Sequence, residues 1–520
     1  MGEELNEGIG RLAKDFPHIW VTAFLGNIVS FINGDRGKGY PSRRDYKSSG
    51  IPFITAGNIQ DGRLDKDTFN FIDQNKFNSL RSGKLKDRDI IYCLRGTLGK
   101  CAIISNFDSG AIASSLVIIR PSSLTDENYI YYYLCSPIQQ MFIKKFDNGT
   151  AQPNLSAESV SKFEVPLPPL NEQKRIVAKI EELFSELDHG IESLKKAKEQ
   201  LKRYRQAVLK QAFEGKLTEK WREQNKDKLE TDDILLKRIK SEREKTFQQQ
   251  FKEWGINGNQ GSKPRMQKTL ISPLAEELEV LPMGWAWIPL GNTNVKVSDG
   301  PFGSNLKSSD YVESGVRVIR LENIGNLEFI KEKESYVTEE KYNLLKNHTV
   351  SAGDIIFSSF ITDNIRVALV PTSIQRALNK ADCFCIKFFG ETLSNIFVLM
   401  FLSTQNACKQ LESQIHGVGR PRINTTQLKE VFIPVCSALE QRVIISEIES
   451  QFSVIDQLES DIEINLKKAE TLRQSILKKA FSGQLVPQDP NDEPASLLLE
   501  RIRSEKSAPK TTQKNQNRGK

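Results

Sequence analysis

The chain has 520 residues, more than one ordinary core accommodates, so two to four domains are expected. Lys and Arg number 73 against 66 Asp and Glu, a net charge of +7, and this mild basic excess on a strongly charged chain points only weakly to a polyanionic partner. Seven scattered cysteines with no ligand spacing exclude a disulfide framework or a zinc ribbon, and the lack of a signal-type N-terminus or an 18-residue apolar run leads us to expect a soluble cytoplasmic protein.

In chain order, the first domain is read over residues 1–170, where the runs IPFIT, DIIYCL and AIASSLVIIRP alternate with turn signals such as GN and RGT. Short helices are expected between strands, as at 126–146, which makes a compact α/β domain. Residues 171–245 hold a first long helix and a distal helical segment, and 246–280, with QQQ and NGNQGSK, have the composition of a linker. A second α/β domain follows over 281–438, with VRVIRLEN, DIIFSS and CFCIKFF as strands and a helical stretch at 391–412. Residues 439–506 repeat the long helix and distal segment, and 507–520, SAPKTTQKNQNRGK, form a disordered basic tail.

The chain is written twice. Pro17, Trp20, Asn58 and Asp89 match Pro282, Trp285, Asn323 and Asp354 at an offset of 265. From Gly149 onward the offset is 268, carrying Pro166, Gln173, Ile176 and Phe184 onto Pro434, Gln441, Ile444 and Phe452, so three residues enter the second copy between 357 and 416. The strings LKQAFEGKL and LKKAFSGQL match at the same offset, and LLKRIKSER recurs near the end as LLLERIRSEK.

The segments 171–213 and 439–481 contain no proline, and their apolar residues recur every three or four positions. The seam runs through Ile176, Ile180, Leu187, Ile191, Leu194, Leu201 and Tyr204 in one copy, and through Ile444, Ile448, Ile455, Leu458, Ile462, Leu472 and Ile476 in the other. Each helix would reach about 60 Å at 1.5 Å per residue and overhang any domain of this size. The helix of the other copy is the natural partner, in an antiparallel coiled coil. The fold class is thus mixed α/β (α+β): two α/β domains separated by a long antiparallel two-helix coiled coil, with pseudo-two-fold symmetry.

The tandem layout, LPMGWAWIPLG, IPFITAGNI, GTAQPNLS leading to VPLPPLNEQKRIVAKIEELF, RQAVLKQAFEGKLTEKWR and QLVPQDPNDEPASLLLERIRSEK resemble type I restriction-modification specificity subunits over almost the whole chain. FPHIW replaces the usual LPxGW in the first copy, and GVGRPRIN stands for GTAQPNLS in the second. The resemblance implies two target recognition domains, each reading half of a split double-stranded DNA site, held apart by the helix pair. It further implies that two methyltransferase subunits dock on the helices and that motor-nuclease restriction subunits join them. S-adenosylmethionine, ATP and Mg would sit on those partners, with no cofactor on this chain.

Catalytic devices are missing from the sequence. No Gly-Lys precedes Ser or Thr as a P-loop needs, no Asn-Pro-Pro-aromatic motif is present, Pro-Asp never occurs, and the four histidines lack ligand spacing. No catalytic or metal residues are assigned. Contact chemistry for DNA is present instead. RGKGYPSRRDYK clusters Arg36, Lys38, Tyr40, Arg43, Arg44, Tyr46 and Lys47, cations suited to phosphates and guanidinium forks suited to guanine. The matching loop offers Ser304, Asn305 and Lys307. A second matched pair of loops holds Arg95, Thr97 and Lys100 against Ser358, Thr362, Asn364 and Arg366, and a third holds Thr150, Gln152 and Asn154 against Arg420 and Arg422. The near-identical AFEGKL/AFSGQL and LLKRIKSER/LLERIRSEK strings are too alike to read different bases, and docking one methyltransferase each is the role expected of them. Two rival readings are a stand-alone DNA-modifying enzyme, which lacks its motifs, and a coiled-coil scaffold without a nucleic-acid role. The bases read and the spacer length are not legible.

Overall fold

The computed structural model describes residues 16–60, 62–105, 107, 109–147, 149, 153–256, 258, 263–266, 269–270, 278–361, 365–415 and 421–507. The chain divides into two compact units, 1–195 with 463–520 and 196–462. The division falls inside both long helices, Leu170–Phe213 and Ala438–Ala480, so each unit takes parts from both sequence copies. These units regroup the segments read in chain order. The distal helix Asp232–Ile256 also runs eleven residues into the stretch 246–280 read as a linker, most of whose remainder, like the tail beyond Ser507, lies outside the described residues.

In the first unit the central sheet is antiparallel throughout, in the order Val29–Asn33, Leu116–Pro121, Ile90–Cys93, Cys101–Ile103. Its central strands are continuous apolar runs because both faces are covered. With the two-residue period of a strand, Ile90, Tyr92, Val117 and Ile119 face the helices, while Ile91, Cys93, Leu116 and Ile118 face Ile54, Ile59 and Ile112. The latter face is covered by a small sheet of Asn70–Ile72, Ile51–Ile54 and Ala111–Ile112, its last pair parallel. Val21–Phe24 pairs with Glu164–Leu167 just before the first long helix.

The second unit repeats this plan. Its antiparallel sheet runs Val295–Ser298, Cys383–Phe388, Ile355–Ser358, Val367–Leu369, backed by a five-stranded sheet built on the parallel pair Val316–Ile319 and Ala377–Asn379. Strand register locates the three extra residues. Ile103 lies across from Ile90 as Leu369 does from Ile355, and Ala111 lies across from Phe53 as Leu378 does from Val318. One residue therefore enters between 358 and 367, one between 369 and 377, and the third before the helix caps Asp126 and Ser394. All three are absorbed in loops, where added length costs little.

The long helices pair antiparallel in each unit. In the second, Arg205 meets Asp456 and Glu459, while Thr218 and Arg222, past the end of the first helix, meet Glu440 at the start of the other. In the first, Asp188 meets Arg473, and Arg175 meets Asp492. Ile176, Ile180, Ile444, Ile448, Ile455, Ile462 and Ile476 are buried, and Leu187, Ile191, Leu194 and Leu201 are half-buried. The seam is corrected at three positions: Leu472 is 51% exposed, its matched Tyr204 53%, and Leu458, in the middle of its helix, 46%. A 3.6-residue helix drifts off a strict heptad, and here the neighbouring arginines, Arg473 and Arg205, turn inward instead.

The shared strings have an internal use. Phe213 packs edge-on against Phe397 and Phe401 with centroids 5.1 and 5.2 Å away, and Phe481 packs on Tyr129 and Tyr133 at 5.1 and 5.7 Å. Gly215 and Gly483 follow with φ of 74° and 75°, the left-handed turn that ends a helix. A Cβ there would also sit 2.4 Å from Pro282 Cγ or 2.5 Å from Pro17 Cδ. Leu235 and Ile239 are buried in the second unit's core, and Leu498, Leu499 and Ile502 in the first's. The apolar faces expected to serve methyltransferases are occupied within the chain, and equal docking on two homologous domains accounts for their similarity.

Candidate nucleic-acid interface

Strand pairing decides where the loops that differ between the copies lie. In the first unit Asn33 pairs with Val117, and Cys93 with Leu116, so the loops after Asn33 and after Cys93 leave the same end of the sheet. Residues 153–155 join them: Arg95 bridges Asn154, and the Leu155 amide donates to Leu94 O at 2.9 Å. In the second unit Ser298 pairs with Cys385 and Ser358 with Cys383, Phe360 bridges Arg422, and the Ile423 amide donates to Ser359 O at 2.9 Å. Each unit thus gathers its three candidate loops at one sheet end.

The opposite end is taken by the distal helices. Lys506 Nζ donates to Gly26 O and Val29 O, both at 2.7 Å, and Glu505 accepts from Ser122 and Ser123 at 2.8 and 2.7 Å. The two hydroxyls hold the Glu505 carboxyl below its usual range, and burial pushes the Lys506 ammonium down. In the second unit Asn294 Nδ2 donates to Thr246 Oγ1 at 2.9 Å at the corresponding place.

The basic loop of the first unit is anchored by Asp35, a buried residue the sequence did not single out. Its carboxylate accepts from the amides of Arg81 and Gly37 at 2.8 and 2.7 Å, which hold it below the ordinary value of 3.8. Arg36, Lys38, Arg43, Arg44 and Lys47 are exposed and form no salt bridge among the described residues, because nearby Asp45 caps Ser42 and pairs with Lys76 at 3.3 Å. The Tyr40 ring is half-buried, edge-on to Phe53 at 5.7 Å, and Tyr46 lies 6.1 Å from the same ring. The two aromatic rings hold the loop, and the cations are left to solvent.

Arg95, Thr97 and Asn154 are exposed, and Lys100 Nζ reaches Ile59 O at 3.5 Å. In the second unit Asn305 and Lys307 are exposed, next to Phe302, whose 68% exposure the sequence reading passed over. Ser358 and Arg366 are corrected to internal roles. Ser358 is fully buried, Arg366 Nη2 donates to its Oγ at 3.3 Å, and Nη1 donates to Leu321 O at 3.2 Å. The Asp-Ile-Ile strand continues one residue further than its apolar run suggests, which turns Ser358 inward. Arg422 is exposed, paired with Asp382 and stacked 4.9 Å over Phe360. Thr150, Gln152, Thr362, Asn364, Arg420 and the side chain of Ser304 lie outside the described residues.

A matched buried network sets the start of each long helix. Trp20 Nε1 donates to Glu172 and Trp285 Nε1 to Glu440, each at 2.9 Å. Gln488 donates to Glu172 at 2.6 Å, while Thr218 and Arg222 donate to Glu440 at 2.7 Å. Burial pushes the Glu172 carboxyl up, opposed by the Trp20 and Gln488 bonds. Gln173 and Gln441, one residue on, accept the amides of Asp126 and Ser394. The Glu-Gln pair recurring at offset 268 was the available signal. Among the described residues no cluster of three or more potential metal ligands occurs, and no helix is long and apolar enough to cross a membrane.

A family model described as the type I restriction modification DNA specificity domain matches residues 17–203. The chain is similar to the type I restriction enzyme EcoKI specificity subunit of Escherichia coli K12, 23% identical over 513 residues that cover 95% of this chain and 97% of that one. It is similar also to the StySPI specificity subunit of Salmonella potsdam, 25% identical over 529 residues, covering 94% and 96%. A solved chain, from work on complex assembly and conformational transition of the type I R-M system, superposes with a TM-score of 0.59 at 16% identity, covering 90% of this chain and 99% of that chain. That last likeness is one of fold.

Proposed function

Because the chain belongs to the family of type I restriction-modification DNA specificity subunits, and is itself non-catalytic, we propose that each of its two units reads one half of a bipartite DNA site. One observation carries this reading. In both units the loops that differ between the copies leave one end of the central sheet, and the segments the copies share pack at the other. A duplicated scaffold whose two central sheets match and whose loops at one end differ suits two readers with different targets.

At the loop end of the first unit, the exposed cations of the 36–47 loop would hold phosphates, an affinity without sequence information. Base edges would be read by the loops after Cys93 and Ser358 and by 153–155 and 421–423. The paired helices would set the unread spacer, with the half-sites about one helical turn apart. Two methyltransferase subunits carrying S-adenosylmethionine would dock on the outward faces of the helices, and motor-nuclease subunits using ATP and Mg would join them.

Exchange of residues 16–165 for those of another specificity subunit tests the reading. Methyladenine mapping should show one half-site replaced and the other kept. Replacement of both, or of neither, would refute it. Lengthening both helices by a few residues should change the spacer alone.

A further inference from the structure

Ser156 and Asn424, which end the third pair of matched loops, share one job, capping the next helix, so the divergence in kind among the described positions falls just before them. Pro153 and Leu155 in the first unit correspond to Pro421 and Ile423 in the second, alike in kind, while the residue between them is Asn154 in one and Arg422 in the other. Both form the same isolated bridge, to Arg95 and to Phe360, and both are exposed. Resting on the reading of the chain as a two-headed DNA reader, we propose that this shared position reads a base edge, Arg422 contacting a guanine and Asn154 an adenine.

The surroundings of Arg422 separate it from the cations of the basic loop, which have no support. Its guanidinium lies 4.9 Å over the Phe360 ring and is paired through Nη2 with Asp382. Asp382 is itself held in place. It adopts φ of 75°, a region L side chains rarely occupy, its amide donates to Asp299 Oδ1 at 3.2 Å, and its carboxylate accepts from Ser359 Oγ at 3.3 Å. A stacked, ion-paired guanidinium has lost most of its rotamer freedom, yet its side chain is still 51% exposed. The planar fork has five donors, so those not used by Asp382 remain for the two acceptors that guanine presents in the major groove, O6 and N7. A phosphate contact would need no such buttress.

Asn154 is built on the same plan with shorter reach. Its amide nitrogen in the backbone donates to Asp147 Oδ1 at 3.0 Å, and its side-chain amide forms no hydrogen bond among the described residues. One donor and one acceptor side by side match the N6 and N7 edge of adenine.

The test uses the full chain reconstituted with its methyltransferase partner, with sites mapped on a random-sequence DNA library. The half-site that moves when residues 281–438 are exchanged should contain a required guanine. Arg422→Gln should lower discrimination at that guanine about 5- to 150-fold, the range of a bidentate base contact, and leave the other half-site unchanged. A second arm needs no substitution: 7-deazaguanine at that position, which lacks N7, should slow methylation by the unaltered protein at least 5-fold. Asn154→Ala should loosen one adenine of the other half-site. A moved half-site without a guanine, an equal loss on all sequences with Arg422→Gln, or indifference to 7-deazaguanine would overturn the Arg422 assignment. An unchanged adenine preference in Asn154→Ala would overturn its counterpart. If the exchange moves no half-site, the two-headed reading itself fails; if it does and the Arg422 arms fail, only this assignment is lost.

Discussion

The guanidinium of Arg205 lies 4.6 Å from the centre of the Phe452 ring, with Nη2 2.5 Å from Asp456, and Arg473 repeats the arrangement at 4.4 Å over Phe184 beside Asp188. The two stacks occupy matched positions in the two units and pin the register of the helix pair there. A heptad seam alone tolerates slippage by one repeat, which these stacks forbid.

Phe452→Ala should destabilise the chain by about 3 kcal/mol, since the ring is 9% exposed. Arg205→Ala should cost about 1 kcal/mol. Denaturant unfolding of both single variants and the double variant should give a coupling of about 0.5–2 kcal/mol. A coupling near zero would mean that the stack does not hold the register.

Removal of Glu440 should be costly because its carboxylate is buried and paired. Its carboxylate is 1% exposed and accepts from Trp285, Thr218 and Arg222. Glu440→Ala leaves the Arg222 guanidinium, 13% exposed, without its partner, at a cost of about 3–5 kcal/mol. Glu440→Ala combined with Arg222→Ala should recover part of that loss, measured as melting temperature.

The C-terminal helix Ala495–Ser507 should behave as part of the first unit. Ile502 is fully buried in the core that holds Trp20, Tyr129 and Ile176, so Ile502→Ala should cost about 2–5 kcal/mol. Glu505→Ala, which loses only hydrogen bonds from two serines at the surface, should cost about 1 kcal/mol. Amide exchange in residues 20–33 should accelerate in the first variant and change little in the second.

Acid should loosen the anchor of the basic loop. The Asp35 carboxyl sits below 3.8 because the amides of Arg81 and Gly37 donate to its charged form. The stability it adds is therefore complete above 3.8 and is lost as pH falls through the lowered value. The difference in stability between the unaltered chain and Asp35→Asn should be constant at neutral pH and shrink below 3.8. A difference unchanged down to pH ~2 would rule the anchor out.

Periodicity and repetition carried the large-scale plan, because both are statements about which residues must leave water. The duplicated Asp-Ile-Ile strands, the two proline-free helices and their isoleucine seam follow from apolar spacing alone, and the loops that differ between the copies were visible as divergence within a repeated pattern. What spacing does not encode is which segments of one copy pack on the other. Only the folded chain puts Phe481 between Tyr129 and Tyr133, turns Tyr40 and Ser358 inward, and sets Arg422 on Asp382 and Phe360. These contacts join residues far apart in sequence, and their energies depend on distance, burial and the orientation of rings and charges. A linear pattern fixes residue type and period; three-dimensional packing fixes which polar groups are paired and which are left exposed.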